Sequence, residues 1–237
     1  MTALRFGLKL APQRTTLDDL RSVWRIADEA GFDHAWTYDH FAAIGDDPNW
    51  DTYEGWILLA TMAEVTQRVR IGCMVTGNTY RPPAVLAKMA TTVDHLSGGR
   101  LEFGLGAAWA EFEHTSLGIE LGAPRRRLDR FEEALQVIRS LWRNDRTTFD
   151  GTYYQLSEAV HEPKPVQRPN PPIWIGGAGR KRTLRIAATY ADAWNCVAST
   201  PEEFAELTKV LDEHCDTVGR ERSAVRRTVQ IFLGDEF

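Results

Sequence analysis

An α/β fold of the (β/α)8 barrel type, lacking its eighth βα unit, follows from three observations on the 237 residues. Short β-rich runs alternate with single amphipathic helical segments. Seven such runs occur at βα spacing, and nothing after Phe237 supplies a seventh helix, an eighth strand or an eighth helix. Strands that each lead into one helix imply a parallel sheet. A closed barrel suits the count better than an open doubly wound sheet, which is the structural alternative. Residues 1–237 are expected to form a single domain, with the C-terminal part of a longer barrel missing.

Each element has its own signal. "RFGLKL" (5–10) is a predicted strand, and Leu17, Leu20, Val23, Trp24 and Ala27 then recur at helical spacing until Gly31. "HAWTYDH" (34–40) is the second strand and 52–66 the second helix; "VRIGCMVT" (69–76) is the third strand. The third helix begins at Pro82-Pro83 and ends at Gly98-Gly99, the usual asymmetry of helix ends. "RLEFGLG" (100–106) is the fourth strand, and a helical excursion leads into a long helix over 124–142. "TTFDGTYYQL" (147–156) breaks the rhythm and predicts a small hairpin turning at Asp150-Gly151, inserted before the fifth barrel strand. After the connector "EPKPVQRPNPP" come the fifth strand "IWIGG", a helix over 180–190, a strand over 192–198, a helix over 201–218 and a strand over 225–234.

Composition narrows the function classes. Hydrophobic residues make up 43% and charged residues 26%, ordinary values for a globular chain. The net charge of −5 is a poor match to general nucleic-acid binding. Cys73, Cys196 and Cys215 are odd in number and widely spaced, which fits a reducing, cytoplasmic setting better than a disulfide framework. The N-terminus lacks the apolar core of a signal peptide, and no apolar run is long enough to span a membrane.

In barrels the chemistry gathers at the C-terminal ends of the strands. The residues there are Tyr38-Asp39-His40, Cys73-Met74-Val75-Thr76, the stretch from Gly104 to Trp109, Gly176-Gly177-Ala178-Gly179, and Trp194-Asn195. His40 beside Asp39 can exchange a proton near neutral pH, although a strand end that simply turns polar looks the same. The glycine turn is more specific. It is followed by Arg180, Lys181, Arg182 and Arg185 at the start of a helical pattern, where each cation costs about 0.3–1 kcal/mol against the helix dipole. A bound anion, most simply a phosphate held by exposed backbone N–H groups, resolves that conflict; solvated cations are the plainer alternative. "GLGAAW" lacks the third glycine of a dinucleotide fingerprint, and Glu111, Glu113 and His114 lack the spacing of a metal-hydrolase motif. Arg125-Arg126-Arg127 is expected to be a solvated face, with Asp129, Glu132 and Glu133 in pairing range.

Four segments together carry a resemblance: "AWTYDHF", "RVRIGCMVTGNTYRPPAVLAKMATTVDHLSGGRLEFGLGAAWAEFEH", "RRRLDRFEEALQVIRSLW" and "PPIWIGGAGRKRTLRIAATYADAWN". In this order, over nearly the whole chain, they resemble the luciferase-like family of flavin and deazaflavin oxidoreductases, in its branch using coenzyme F420. The resemblance implies hydride transfer between F420 and a small organic substrate, in a homodimer, with the cofactor ring across the strand ends. Asp39 would lie at the ring's polar edge and His40 at the reacting centre. A non-proline cis peptide is expected between Cys73 and Met74, pressing on one ring face, with Thr76, Ala107, Trp109 and Asn195 also around the cofactor. Gly176, Gly177, Ala178, Gly179 and Arg180 would hold its phosphate.

The family's catalytic glutamate has its nearest counterpart in Glu111. The tryptophan that sugar-phosphate-oxidising members carry after Asp-His is replaced here by the run Phe41-Ala42-Ala43-Ile44. An FMN-dependent monooxygenase and a catalytically silent cofactor-binding homologue are the alternatives.

Overall fold

The computed structural model describes residues 4–45, 47–197 and 200–232. It divides into two compact units, 1–171 and 172–237, each taken by itself below.

The first unit contains four βα steps: β1 (Gly7–Lys9), α1 (Leu17–Glu29), β2 (His34–Thr37), α2 (Gly55–Val65), β3 (Arg70–Cys73), a short β4 (Thr76–Gly77), α3 (Pro83–Leu96) and β5 (Leu101–Gly106), then α4 (Glu111–Leu117) and α5 (Pro124–Arg143). β1, β2, β3 and β5 are parallel neighbours in that order, with Gly7 opposite His34, Trp36 opposite Gly72 and Ile71 opposite Leu101. β2 and β5 are buried along their whole length, as parallel strands covered on both faces must be. Gly72 is required by this register: a Cβ there would collide with the Trp36 ring and the Glu102 carbonyl.

Helix ends follow local chemistry. Thr16 caps α1 by accepting from Asp19 N–H at 3.1 Å, and Glu54 caps α2 by accepting from Ile57 N–H at 2.6 Å. At the start of β5, Arg100 donates to the carbonyls of Ala63, Thr66, Val69 and Ser97, so one guanidinium closes the C-terminal ends of α2 and α3. The core holds Trp24, Leu59, Met62, Phe103, Phe131 and Trp142, with Phe103 edge-on to Trp142 at 5.0 Å.

The hairpin is present as antiparallel β6 (Arg146–Asp150) and β7 (Gln155–Val160), its second strand running beyond the expected end. Glu133 closes its turn by accepting from the N–H groups of Thr152, Tyr153 and Tyr154. This corrects the expected role of Glu133 as a partner for the Arg125–Arg127 run; Arg126 pairs instead with Glu120 at 2.9 Å.

The second unit continues the βα order with β8 (Ile173–Gly176), α6 (Thr183–Tyr190), β9 (Ala193–Val197), α7 (Pro201–Thr217) and β10 (Arg226–Gln230). Its three strands are parallel, β9 lying between β8 and β10. Ala198, Leu233 and Gly234, placed in strands by the sequence, lie outside the described residues. Among the described residues, seven barrel-type strands in βα order, with β4 as a short continuation of the third, agree with the incomplete TIM-type barrel class.

Two of the boundaries that differ from expectation bear on the site. The third strand is broken into β3 and β4 by a non-proline cis peptide, which falls between Met74 and Val75 rather than between Cys73 and Met74. Met74 N–H still donates to Thr37 O at 2.8 Å, so the ladder runs one residue further before the chain turns. The helix expected from 180 begins at Thr183, and Arg180, Lys181 and Arg182 form the turn before it. Arg185 lies in the first helical turn and Arg182 is the N-cap, so these cations still meet the positive end of the helix dipole.

Candidate active site

His40 lies just past β2, and its surroundings come from three other segments of the first unit. Its Nδ1 is 2.7 Å from Glu113 Oε2, and Glu113, inside α4, is completely buried. Tyr80, between β4 and α3, donates its hydroxyl to the same carboxylate oxygen at 2.5 Å. The other oxygen, Oε1, accepts from the N–H groups of Phe41 and Ala42 at 2.5 and 2.9 Å. Burial acts against a charged Glu113, but bonds from His40, Tyr80 and the Ala42 N–H outweigh it and hold the carboxyl below the usual glutamate range. Tyr80 is shifted the other way, because burial and the adjacent Glu113 charge both oppose a phenolate.

Aromatic rings enclose the imidazole. Tyr38, Tyr80 and Trp109 meet it edge-on, at centroid distances of 5.1, 6.4 and 5.7 Å. Trp109 is 60% exposed, so this side of His40 opens to solvent beside a large apolar surface. Ala108 before it takes a left-handed conformation (φ 64°), which turns the chain out of β5. Gln13 ties the loop after His40: it donates to Ile44 O, accepts from Ile44 N–H at 2.8 Å, and accepts from the Tyr38 hydroxyl. Lys9, at the end of β1, lies 6.0 Å over the Tyr38 ring, and burial pulls its ammonium down to about 8 against an opposing effect of Cys73.

The expected site residues separate into groups. His40 and Trp109 come together as described, with Ala107 partly exposed on the same turn. Asp39 is completely buried and takes both guanidinium nitrogens of Arg81, at 2.6 and 3.0 Å, while Arg81 also pairs with Glu54. Burial still raises the Asp39 carboxyl, with Arg81 opposing. Cys73 and Met74 are buried, and burial followed by the nearby Asp39 charge pushes the Cys73 thiol well up. Thr76 is buried and accepts from Trp56 Nε1 at 2.9 Å.

Glu111, the expected catalytic carboxylate, is exposed in the first turn of α4, and Glu113 occupies the position beside His40. Gln13 lies outside the segments that carry the resemblance, and Tyr80 and Arg81 lie inside one of them without an assigned role. Glu113 stood inside the acidic cluster already noted, but only its burial separates it from Glu111.

In the second unit, the glycine turn leaves β8 with Gly177 at φ +125°, a conformation that favours glycine. Gly177 N–H donates to Asn195 O at 3.0 Å, and its carbonyl accepts from Trp194 Nε1 at 2.7 Å. Gly176 ends the strand, and Ala178 and Gly179 are exposed. Among the described residues, the N–H groups of Ala178 and Gly179 donate to no protein acceptor. Arg180 pairs with the exposed Glu206 at 2.9 Å. The Asn195 side chain is engaged with Thr228 at 2.9 Å.

Comparison with known proteins gives this geometry its context. The profile of a family described as luciferase-like monooxygenase matches residues 1–233. The chain belongs to this luciferase-like family. The luciferase-like chain is 32% identical over 232 residues, 96% of its length, to an F420-dependent glucose-6-phosphate dehydrogenase of Microbacterium testaceum, covering 67% of that protein. It is 31% identical over 223 residues, 90% of its length, to the pyrimidine monooxygenase RutA of a Bradyrhizobium species, covering 61% of that protein. Among solved structures, an F420-dependent secondary alcohol dehydrogenase in complex with an F420-acetone adduct superposes with a TM-score of 0.87 at 26% identity. That match covers 95% of this chain and 68% of the other. The chain thus spans about three fifths to two thirds of the length of these relatives.

Proposed function

We propose that the chain is the cofactor-binding portion of a luciferase-like oxidoreductase that moves hydride between coenzyme F420 and a small organic substrate. His40 would exchange the proton that accompanies the hydride. The observation that carries this reading is the His40–Glu113 pair: Nδ1 is held, and no described group bonds Nε2 on a ring beside the exposed Trp109. Kinship to F420-dependent dehydrogenases supports the choice of cofactor.

When bound, the deazaflavin supplies a two-electron hydride carrier, and the protein's part is position and proton management. The glycine turn fits a phosphate, because Ala178 and Gly179 are exposed residues whose N–H groups bond no protein acceptor among the described residues, and Gly177 has no side chain to block approach. Gly176 and Arg180 flank that turn. Ala107, Trp109, Cys73 and Met74 would hold the ring. Asp39 and Thr76 would support that site as buried groups, each being committed to a protein partner. The Asn195 amide would position β9 through Thr228. A homodimer in a reducing cytoplasm completes the proposal; the three unpaired, buried cysteines accord with that compartment.

A flavin monooxygenase is the second reading, favoured by the likeness to RutA. Fluorescence titration of the 237-residue protein with F420 and, in parallel, FMN separates them. Saturable F420 binding with FMN at least about tenfold weaker, a difference of ~1.4 kcal/mol, is the expected result. The reverse order would transfer the assignment to the monooxygenase. A folded protein that binds neither would sink both.

A further inference from the structure

We infer that Glu113 is a positioning residue that locks His40 in the Nδ1–H tautomer, leaving the lone pair on Nε2. This rests on the reading of His40 as the proton partner, and it follows from counting donors and acceptors around one buried carboxylate.

Glu113 Oε1 faces two backbone N–H groups, of Phe41 and Ala42, which can only donate. Oε2 faces the Tyr80 hydroxyl and His40 Nδ1. An ionised carboxylate can only accept, so Nδ1 must carry the proton in this pair. Tyr80 cannot turn away easily: its ring stacks on His114 at 5.0 Å and meets Phe41 edge-on at 5.0 Å. The same carboxylate thus binds the His40 ring and the backbone of the next two residues, fixing both the tautomer and the direction of the ring.

His114 provides an independent reference within the same fold. Its Nδ1 faces the carbonyl of Ala110 at 2.6 Å, which can only accept, and its Nε2 takes the Thr79 hydroxyl at 2.6 Å. It too is an Nδ1–H tautomer, held by partners that do not include Glu113.

The substitution Glu113→Gln has a sharp consequence. The new amide must turn its carbonyl toward the two backbone donors, because its NH2 group would face them donor to donor. The NH2 group then points at His40 Nδ1 and Tyr80, and Nδ1 must become the acceptor. The imidazole proton moves to Nε2, and the nitrogen meant to accept a proton no longer can. Tyr80→Phe, by contrast, leaves the carboxylate and the wild-type tautomer in place.

The test is 15N NMR of the histidine side chains in the protein without cofactor, at a pH above the ring titration seen in the same experiment. The six histidines are few enough for His40 to be assigned from the spectrum of His40→Gln. The expected result is an unprotonated Nε2 on His40 in the wild type and in Tyr80→Phe, a protonated Nε2 in Glu113→Gln, and an unchanged His114 throughout. A wild-type His40 already protonated at Nε2 overturns the inference, as does a Glu113→Gln protein with His114 intact and His40 unchanged. Loss of the His114 signature in the variant marks misfolding, and the wild-type spectrum then decides alone. The readout needs no cofactor, so failure of the F420 assignment would leave this result standing.

Discussion

Glu111 and Glu113 are two residues apart in one short helix, and that spacing decides which of them reaches His40. At about 100° per residue, positions i and i+2 point roughly 200° apart, so burying one exposes the other. The sequence offers no means of choosing between them. Replacement of His40 by Ala should lower turnover by about 10²–10⁴-fold if the ring exchanges the proton. Glu111→Gln should leave turnover within about twofold, as surface changes away from the chemistry usually do. Steady-state rates of the two variants check the pair, and a large loss in Glu111→Gln would return the carboxylate role to that residue. Arg81 permits a second test at this scale. Its removal leaves Asp39 buried without its bidentate partner, so Arg81→Met should cost about 3–5 kcal/mol. Urea denaturation measures this; a loss under 1 kcal/mol would show that Asp39 is readily neutralised or hydrated.

At the scale of elements, the strands and helices were mostly legible because their signals are local. Trp24 and Leu20 keep helical spacing, Pro83 and Gly98 bracket α3, and Asp150-Gly151 marks the hairpin. The errors fall where a distant partner changes the local outcome. The turn of the hairpin is held by Glu133 on α5, which looked like a surface partner for arginines. Glu133→Ala should speed amide exchange at Thr152, Tyr153 and Tyr154 selectively and cost on the order of 1 kcal/mol. Hydrogen exchange with residue resolution is the check, and unaltered protection at those three amides would remove Glu133 from this role. The start of α6 moved three residues because Leu184 N–H bonds back to Gly179 O, which keeps Arg180 to Arg182 in the preceding turn. That placement keeps the three cations at the positive pole of α6, so the dipole conflict that points to an anion persists. The N–H groups of Ala178 and Gly179, which bond no protein acceptor among the described residues, add to the phosphate proposal.

At the scale of the whole molecule, pH acts on stability through His161. The ring is buried against Thr91 at 2.8 Å, and burial pulls its pKa down to about 4, with Lys88 and Lys164 acting in the same direction. An unfolded histidine titrates near ~6.5, so between those values the unfolded chain holds the extra proton. The stability supplied by the neutral ring is therefore whole above pH ~6.5 and drains away as pH falls toward 4. The thermal midpoint should fall through that window, and His161→Gln should flatten the fall relative to wild type. Parallel curves for the two proteins would sink this account.

The sequence by itself determined the βα order, the hairpin and the family, because periodicity, turn chemistry and short motifs are properties of neighbouring residues. Only the tertiary structure decided that Glu113, Tyr80 and the backbone of Phe41 and Ala42 converge on one carboxylate, and that Asp39 belongs to Arg81. Those pairings join residues 33 to 73 positions apart. They arise from the need to satisfy every buried charge, a condition that exists only once the strands have brought distant segments together.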